Sequence, residues 1–220
     1  MALTGQEVTN AIHDLGWRLV LGRLSTHVAV RSVAAGAEVA ALVAGVPTDD
    51  RLQIDIRADG VLLSVRTSGT RSLTGRDVVV ARAVTRMLTD NGFRTDVGGS
   101  RAPQSLEIAV DAMDIPLIRP FWQAVLGYVE EIPGSGPDGA LADPLGQGPA
   151  VWFQQMDQPR PQRNRIHLDI SVPHDEAPGR IERTLAAGGR LLSDAEAPAF
   201  WVLADAEGNE VCITTWQGRD

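Results

Sequence analysis

The residues from Arg165 to Asp220 repeat the layout of those from Ser105 to Met156, and this duplication constrains the fold more than any other feature of the chain. The second copy reads R-I-H-L-D-I-S-V, then an amphipathic stretch, then F-W-V-L-A-D-A-E-G-N-E-V-C-I-T-T-W. The first and weaker copy runs from S-L-E-I-A-V-D-A-M-D through P-F-W-Q-A-V-L-G-Y to V-W-F-Q-Q-M. Each copy is a strand, a helix and a run of short strands with one apolar face, and two such halves must bury those faces. The expected product is a pseudo-symmetric cupped sheet able to hold a ligand.

A chain of 220 residues with 44% apolar content can bury one sizeable core or two small ones. Its net charge of -8, with the Arg residues scattered among acids, argues against a nucleic-acid surface. A single Cys excludes an intrachain disulfide. The longest apolar stretch, near Val39 to Val46, is too short to span a bilayer, and the N-terminus does not read as a signal peptide. The expectation is a cytoplasmic protein without nucleic-acid or membrane partners.

The cluster Gly98-Gly99-Ser100-Arg101-Ala102-Pro103-Gln104 reads as a linker, dividing the chain into domains at 1–97 and 104–220. In the first, Thr4 and Glu7 have capping-box spacing for a helix that ends at Gly16. Two short strands around Gly22 follow, then a helix from about Ser32 to Ala44. A hairpin carries Ile54 and Ile56 against Val61, Leu63 and Val65, with Ala58-Asp59-Gly60 as its turn. Leu73-Thr74-Gly75-Arg76-Asp77 starts a last helix that runs to about Asp90, stopped by Asn91-Gly92. Val80, Ala83, Val84 and Met87 form one stripe of that helix, and Val78, Ala81 and Leu88 add apolar surface beyond it, so a homo-oligomer through these helices is expected.

Three phrases carry a resemblance over roughly the C-terminal half: F-W-Q-A-V-L-G-Y at Phe121 to Tyr128, I-H-L-D at Ile166 to Asp169, and A-D-A-E-G-N-E-V-C at Ala204 to Cys212. They resemble the vicinal-oxygen-chelate superfamily of glyoxalases, extradiol dioxygenases and bleomycin-resistance proteins, most closely its glyoxalase-like branch. In the N-terminal half, S-L-T-G-R-D-V-V-V-A-R-A-V and the element order resemble pterin-4a-carbinolamine dehydratase, with an ungapped match from Asp50 to Val84 that includes Asp77. The resemblances imply an α+β protein: a dehydratase-like α/β sandwich followed by paired βαβββ modules of the glyoxalase and bleomycin-resistance type. The dehydratase's His-His-Pro, however, falls on Asp50, Arg51 and Leu52, its aromatic on Ala58, and its Thr-His on Thr67-Ser68. Dehydration of a carbinolamine needs a proton carrier near neutral pH, for which His is suited, so this activity is expected to be absent. His13, near a helix end, and His27, in mid-strand, read as structural.

Alternation selects the positions that face the cup. Ile166, Leu168 and Ile170 share one face, leaving His167, Asp169 and Ser171 on the other. The repeat then sets Glu107 where His167 stands and Gln154 opposite Cys212. In metal-dependent relatives these four positions carry His, Glu, His and Glu, or Gln in place of a His, and only His167 keeps its identity. Glu107, Gln154, His167 and Cys212 could hold Zn or Fe, since Zn accepts mixed N, O and S donors. The favoured alternative is a metal-free cup in which the polar groups satisfy one another and Cys212 packs as a small hydrophobe.

Four of the five Trp lie in this half, with Trp122 expected in the core and Trp152, on the parity of Gln154, as a surface for a planar ligand. A-D-A-E-G-N reads as a tight turn with Gly208 at positive φ. The Gly- and Pro-rich segment Ile132 to Gly148 reads as an exposed loop or a lid, and Arg160, Arg163 and Arg165 as a basic connection. The functions to decide between are a lyase or isomerase using His167 and Glu107, a non-catalytic protein sequestering a small molecule, and a pterin-linked protein. Gln154, Trp152, Asp169 and Cys212 are the further ligand-contact candidates.

Overall fold

The computed structural model describes residues 2–48, 51–67, 69–96, 103–160, 162 and 165–218, which fall into two compact units, Met1–Ser105 and Leu106–Asp220. Most of the expected linker, together with Asp50, Ser68 and Arg163, lies outside the described residues. No helix among those described is long and apolar enough to cross a membrane.

The first unit begins with α1 (Gly5–Ile12), closed by the expected capping box: Glu7 N–H donates to Thr4 Oγ1 at 3.2 Å, and Thr4 N–H to Glu7 Oε2 at 2.8 Å. A 3-10 turn, His13–Leu15, ends at Gly16 with φ 73°. A Cβ there would lie 2.7 Å from the Thr95 carbonyl oxygen, so only glycine fits. Strands β1 (Arg18–Val20) and β2 (Arg23–Ala29) follow, then α2 (Val33–Ala44), β3 (Leu52–Arg57), β4 (Gly60–Val65), α3 (Gly75–Asp90) and β5 (Thr95–Asp96). The antiparallel sheet has the order β1-β2-β4-β3, with β5 also pairing β2. Val8, Ile12, Val39, Val43, Val84 and Leu88 from the helices share one core with Leu24, Val28, Val61, Leu63 and Val65 from the sheet.

Two expectations need correction here. Arg57 pairs with Gly60, so the hairpin loop is Ala58-Asp59 and Gly60 is a strand residue. Its lack of a side chain answers to His27, whose Nε2 would lie 1.9 Å from a Cβ at that position. On α3, Val78, Val80, Ala81, Val84 and Leu88 are all buried, with Ala83 and Met87 packed against the same core. Only Val79 is a large exposed hydrophobe on this helix, so the apolar surface expected to meet a partner is already covered within the unit.

The second unit contains the repeat as β6 (Glu107–Ala112), α4 (Ile115–Leu126), β7 (Val129–Glu130), β8 (Leu141–Ala142) and β9 (Ala150–Gln155). The second copy is β10 (Asp169–Ser171), α5 (Ala177–Ala186), β11 (Arg190–Ser193), β12 (Phe200–Ala204) and β13 (Glu210–Thr214). Both sheets have the same plan, β6-β9-β8-β7 and β10-β13-β12-β11, with the first and last strands of each copy parallel. Phe121, Trp122 and Val125 of α4 share one core with Val151, Phe153, Leu203 and Ile213, so the two modules bury their apolar faces together as the duplication requires.

The segment from Ile132 to Gly148 is tied down rather than lid-like. The buried Arg119 donates from Nε to the Gly139 carbonyl at 2.7 Å, and Glu130 accepts from Gly134 N–H at 2.9 Å.

Candidate functional site

On the open face of the second sheet, Asp169 of β10 pairs with Cys212 of β13, and Cys212 with Val202 of β12. Two residues along, Ser171 and Phe200 flank Thr214, and the Ser171 and Thr214 hydroxyls lie 2.8 Å apart. Asp169, Phe200, Val202, Cys212 and Thr214 line a cavity of about 350 Å³ that Glu210 and His167, the latter just ahead of β10, also border. Its walls mix an imidazole, the two carboxylates of Asp169 and Glu210 and a thiol with the apolar surfaces of Phe200 and Val202. His167 and Asp169 are exposed, whereas Cys212 is buried in the floor. The structure thus brings His167, Asp169 and Cys212 into one place.

The other three candidates stand elsewhere. Glu107, Trp152 and Gln154 lie along β6 and β9, opposite Ala150, Ala109 and Asp111 respectively. None of them lines the cavity. Trp152 is 37% exposed, Gln154 turns its amide to the Gln155 carbonyl at 3.3 Å, and Asp111 pairs with Arg160 at 3.1 Å. Of Glu107, Gln154, His167 and Cys212, only His167 and Cys212 border this cavity, and within each sheet the register does not set the paired candidates level. Cys212 pairs with Asp169 rather than His167, and Gln154 with Asp111 rather than Glu107. These offsets of two and four residues separate the presumed partners by about 7 and 13 Å along the strands.

No three of the described His, Cys, Asp and Glu side chains lie close enough together to hold a metal ion. The donor set present does not fit the metal centre that metal-dependent relatives would imply, and no chemistry is assigned to one.

The turn after β12 has a role that sequence reasoning missed. The Asp205 carboxylate is fully buried. Its Oδ1 accepts from the Glu207 N–H at 3.0 Å and the Asn209 N–H at 2.9 Å, while Oδ2 accepts from Asn209 Nδ2 at 2.8 Å and Trp122 Nε1 at 3.0 Å. Glu207 then receives the N–H groups of Met113 and Asp114 at the start of α4, at 2.8 and 2.7 Å. Arg180 of α5 caps the other end of α4 through the Val125 carbonyl at 3.1 Å. One turn of the second module therefore orients the helix of the first and fixes how the two halves of the cup meet.

The first module has the same turn: Asp143 accepts from the N–H groups of Leu145 and Gln147, both at 2.9 Å, and Gly146 stands at φ 67° where Gly208 stands at 92°. The paired phrases D-P-L-G-Q and D-A-E-G-N were the available signal.

In the first unit Arg51, Thr67, Thr74 and Asp77 also meet. Asp77, fully buried at the start of α3, accepts from Thr74 N–H at 2.7 Å, the Thr74 hydroxyl at 2.8 Å, the Thr67 hydroxyl at 2.9 Å and Arg51 Nη1 at 3.1 Å. Arg51 also donates to the Thr67 hydroxyl. Burial alone would push the Asp77 carboxyl up, but the Thr74, Thr67 and Arg51 donors together hold it below the ordinary aspartate value. This is a closed ion-pair network, with Arg where the resemblance implies a histidine.

The model of the glyoxalase-like domain matches residues 107–214. Among solved structures, a glyoxalase/bleomycin resistance protein/dioxygenase family enzyme from Burkholderia phytofirmans PsJN is 18% identical, over 50% of this chain and 95% of its own, with a TM-score of 0.41. A glyoxalase-related enzyme from Fulvimarina pelagi is 20% identical, over 51% of this chain and 87% of its own, at 0.40. A genomically encoded fosfomycin resistance protein from Listeria monocytogenes is 16% identical, over 49% and 86%, at 0.39. No curated protein matches. The chain thus carries a glyoxalase-like domain over residues 107–214.

Proposed function

We propose that the chain binds a small organic molecule in the cavity of its second sheet, without a metal ion. His167 and Asp169 grip the polar end of the ligand, and Phe200 and Val202 take its apolar part. The observation that carries this reading is the meeting of His167, Asp169 and Cys212 on the wall of a cavity of about 350 Å³. A few convergent polar groups on a largely apolar wall are the usual make-up of a small-molecule site. Sequestration is favoured over a lyase or isomerase reaction. Glu107, which the resemblance pairs with His167 for such a reaction, lies on β6 and does not border this cavity.

Protein stripped with a chelator should keep its ligand. A thermal-shift screen of oxygenated and planar metabolites is expected to return compounds whose binding survives EDTA and weakens about tenfold in His167→Ala, the loss of one good hydrogen bond in a partly desolvated site. Stoichiometric Zn or Fe that disappears with His167→Ala, or ligands indifferent to that substitution, would overturn the reading.

The first unit is not proposed to dehydrate pterins. Arg51 is a hydrogen-bond donor only and, held by Asp77 and Thr67, does not replace the histidine as a proton acceptor. A stopped-flow assay with 4a-hydroxytetrahydrobiopterin should show no rate above buffer. Turnover on the order of 1 per second, an ordinary enzymatic rate, would contradict this.

A further inference from the structure

Two carboxylates, Asp169 and Glu210, border the cavity of the second sheet, and among the described residues no Lys or Arg does. Asp169 on β10 is level with Cys212, and Glu210 precedes Cys212 by two residues on β13, so both belong to one corner of the wall. One strand across and two residues along set their backbone positions about 8 Å apart. This spacing leaves room between the carboxylates for one ammonium group, whose hydrogen bonds to carboxylate oxygens are about 2.8 Å long. It does not suit a bare metal ion, which needs its oxygen ligands within about 2.0 to 2.6 Å, and no three of the described acidic, His or Cys side chains gather that closely. Glu210 keeps a further contact within the chain, but a carboxylate has about four acceptor sites and can serve both. His167 borders the same cavity, and a neutral imidazole adds one acceptor nitrogen, the third that an ammonium's three N–H groups can use. The apolar part of the wall lies on the other side of β13. Val202 stands level with Cys212 and Phe200 with Thr214, both on β12. From the carboxylate corner to β12 is one and a half strand spacings, about 7 Å, the length of a ring with a short arm.

We propose that the ligand is a cationic amine with a compact apolar body, its ammonium held between Asp169 and Glu210 and its body against Phe200 and Val202. The proposal rests on the ligand-binding reading above and names its ligand class. Charge is what discriminates. An ammonium between two carboxylates makes charge-assisted hydrogen bonds, roughly twice as strong as those of a neutral hydroxyl in the same place. An anion meets two like charges there, with no Lys or Arg on the wall to offset them. An amino acid, which adds a carboxylate beside the amine, is therefore rejected although it carries the same cation.

Calorimetric titration of the full chain with 2-phenylethylamine, 2-phenylethanol and phenylalanine tests this, together with the benzyl and 3-phenylpropyl amine and alcohol pairs. The best amine should bind at least about tenfold tighter than its alcohol, as the exchange of neutral for charge-assisted hydrogen bonds implies, and phenylalanine should not bind measurably. Asp169→Asn and Glu210→Gln, which keep the shape and remove the charge, should each raise the amine's Kd about tenfold and leave the alcohol's within about twofold. Melting temperatures show whether the variants keep the fold. The comparison among ligands on wild type needs no variant.

Alcohols that bind as tightly as the amines, or phenylalanine that binds as tightly as 2-phenylethylamine, would overturn the cationic class. So would a wild type that binds none of the amines. In each case the metabolite screen with His167→Ala still judges the cavity by itself. Amine binding that is charge-selective yet indifferent to both Asp169→Asn and Glu210→Gln would set the ammonium elsewhere and overturn this corner as its site.

Discussion

Asp205→Ala is expected to lower the stability of the second unit by about 3 kcal/mol, the order seen when a buried, multiply hydrogen-bonded carboxylate is removed. Four donors would lose their acceptor at once: the N–H groups of Glu207 and Asn209, the Asn209 amide and the Trp122 indole. The indole matters most, because Trp122 is 1% exposed and no water can replace the lost oxygen. Asp205→Asn should be almost as costly. Its amide oxygen could serve the two backbone donors, but its NH₂ would then face the Trp122 and Asn209 N–H groups. Trp122→Phe removes a single bond and should cost less. In a double-mutant cycle the Trp122 and Asp205 changes should couple by about 1 kcal/mol or more, as contacting residues do. Urea unfolding of the four proteins measures this. An Asp205→Ala cost below about 0.5 kcal/mol, the range of ordinary surface changes, would show that the turn does not hold the modules together.

What the sequence made legible was whatever chemistry keeps within a few residues. The Thr4–Glu7 capping box and the stop at Gly16 are such local events, and both occur where the residues indicated. The same holds for α3, which begins at the Thr74–Asp77 pair and ends at Asn91-Gly92. Gly60 was misread because its reason is not local: the ring it makes room for comes from His27 on the neighbouring strand. The second apolar stripe of α3 was misread for a related cause. A helical pattern shows that a face is apolar, but not whether a neighbour in the same chain already covers it.

The candidate site divides along the same line. Strand alternation put Asp169 and Cys212 on one face of the sheet, and the two stand level in it, because side-chain parity belongs to each strand alone. Register does not. Sliding one strand by two residues preserves every parity yet moves a side chain about 7 Å, which is why Asp169 rather than His167 stands level with Cys212. The bond between Trp122 and Asp205 joins positions 83 residues apart, and no local pattern announces it. The repeated D-x-x-G turn indicated where such a bond would be anchored, but not what it would hold.

The other large effect is expected at Asp77, where stability and pH are linked. Asp77→Ala should destabilise the first unit by about 3 to 5 kcal/mol, because it leaves the Arg51 guanidinium, 15% exposed, without its counter-charge. The pH dependence follows from the direction of the Asp77 shift. Its folded carboxyl lies below the ordinary aspartate value, so the unfolded chain takes up a proton at a higher pH than the folded one. The stability it contributes is present in full above about pH 4, the unfolded value, and is lost as pH falls through the lower folded value. Wild type should therefore weaken steadily below about pH 4. Asp77→Asn, less stable at neutral pH, should show a shallower fall over that interval because the titrating group is gone. Hydrogen exchange of the core amides in β4 and α3, which report on this unit alone, separates the two behaviours. Parallel acid profiles for wild type and Asp77→Asn would mean that the Arg51–Thr67–Asp77 network does not govern the acid stability of the unit.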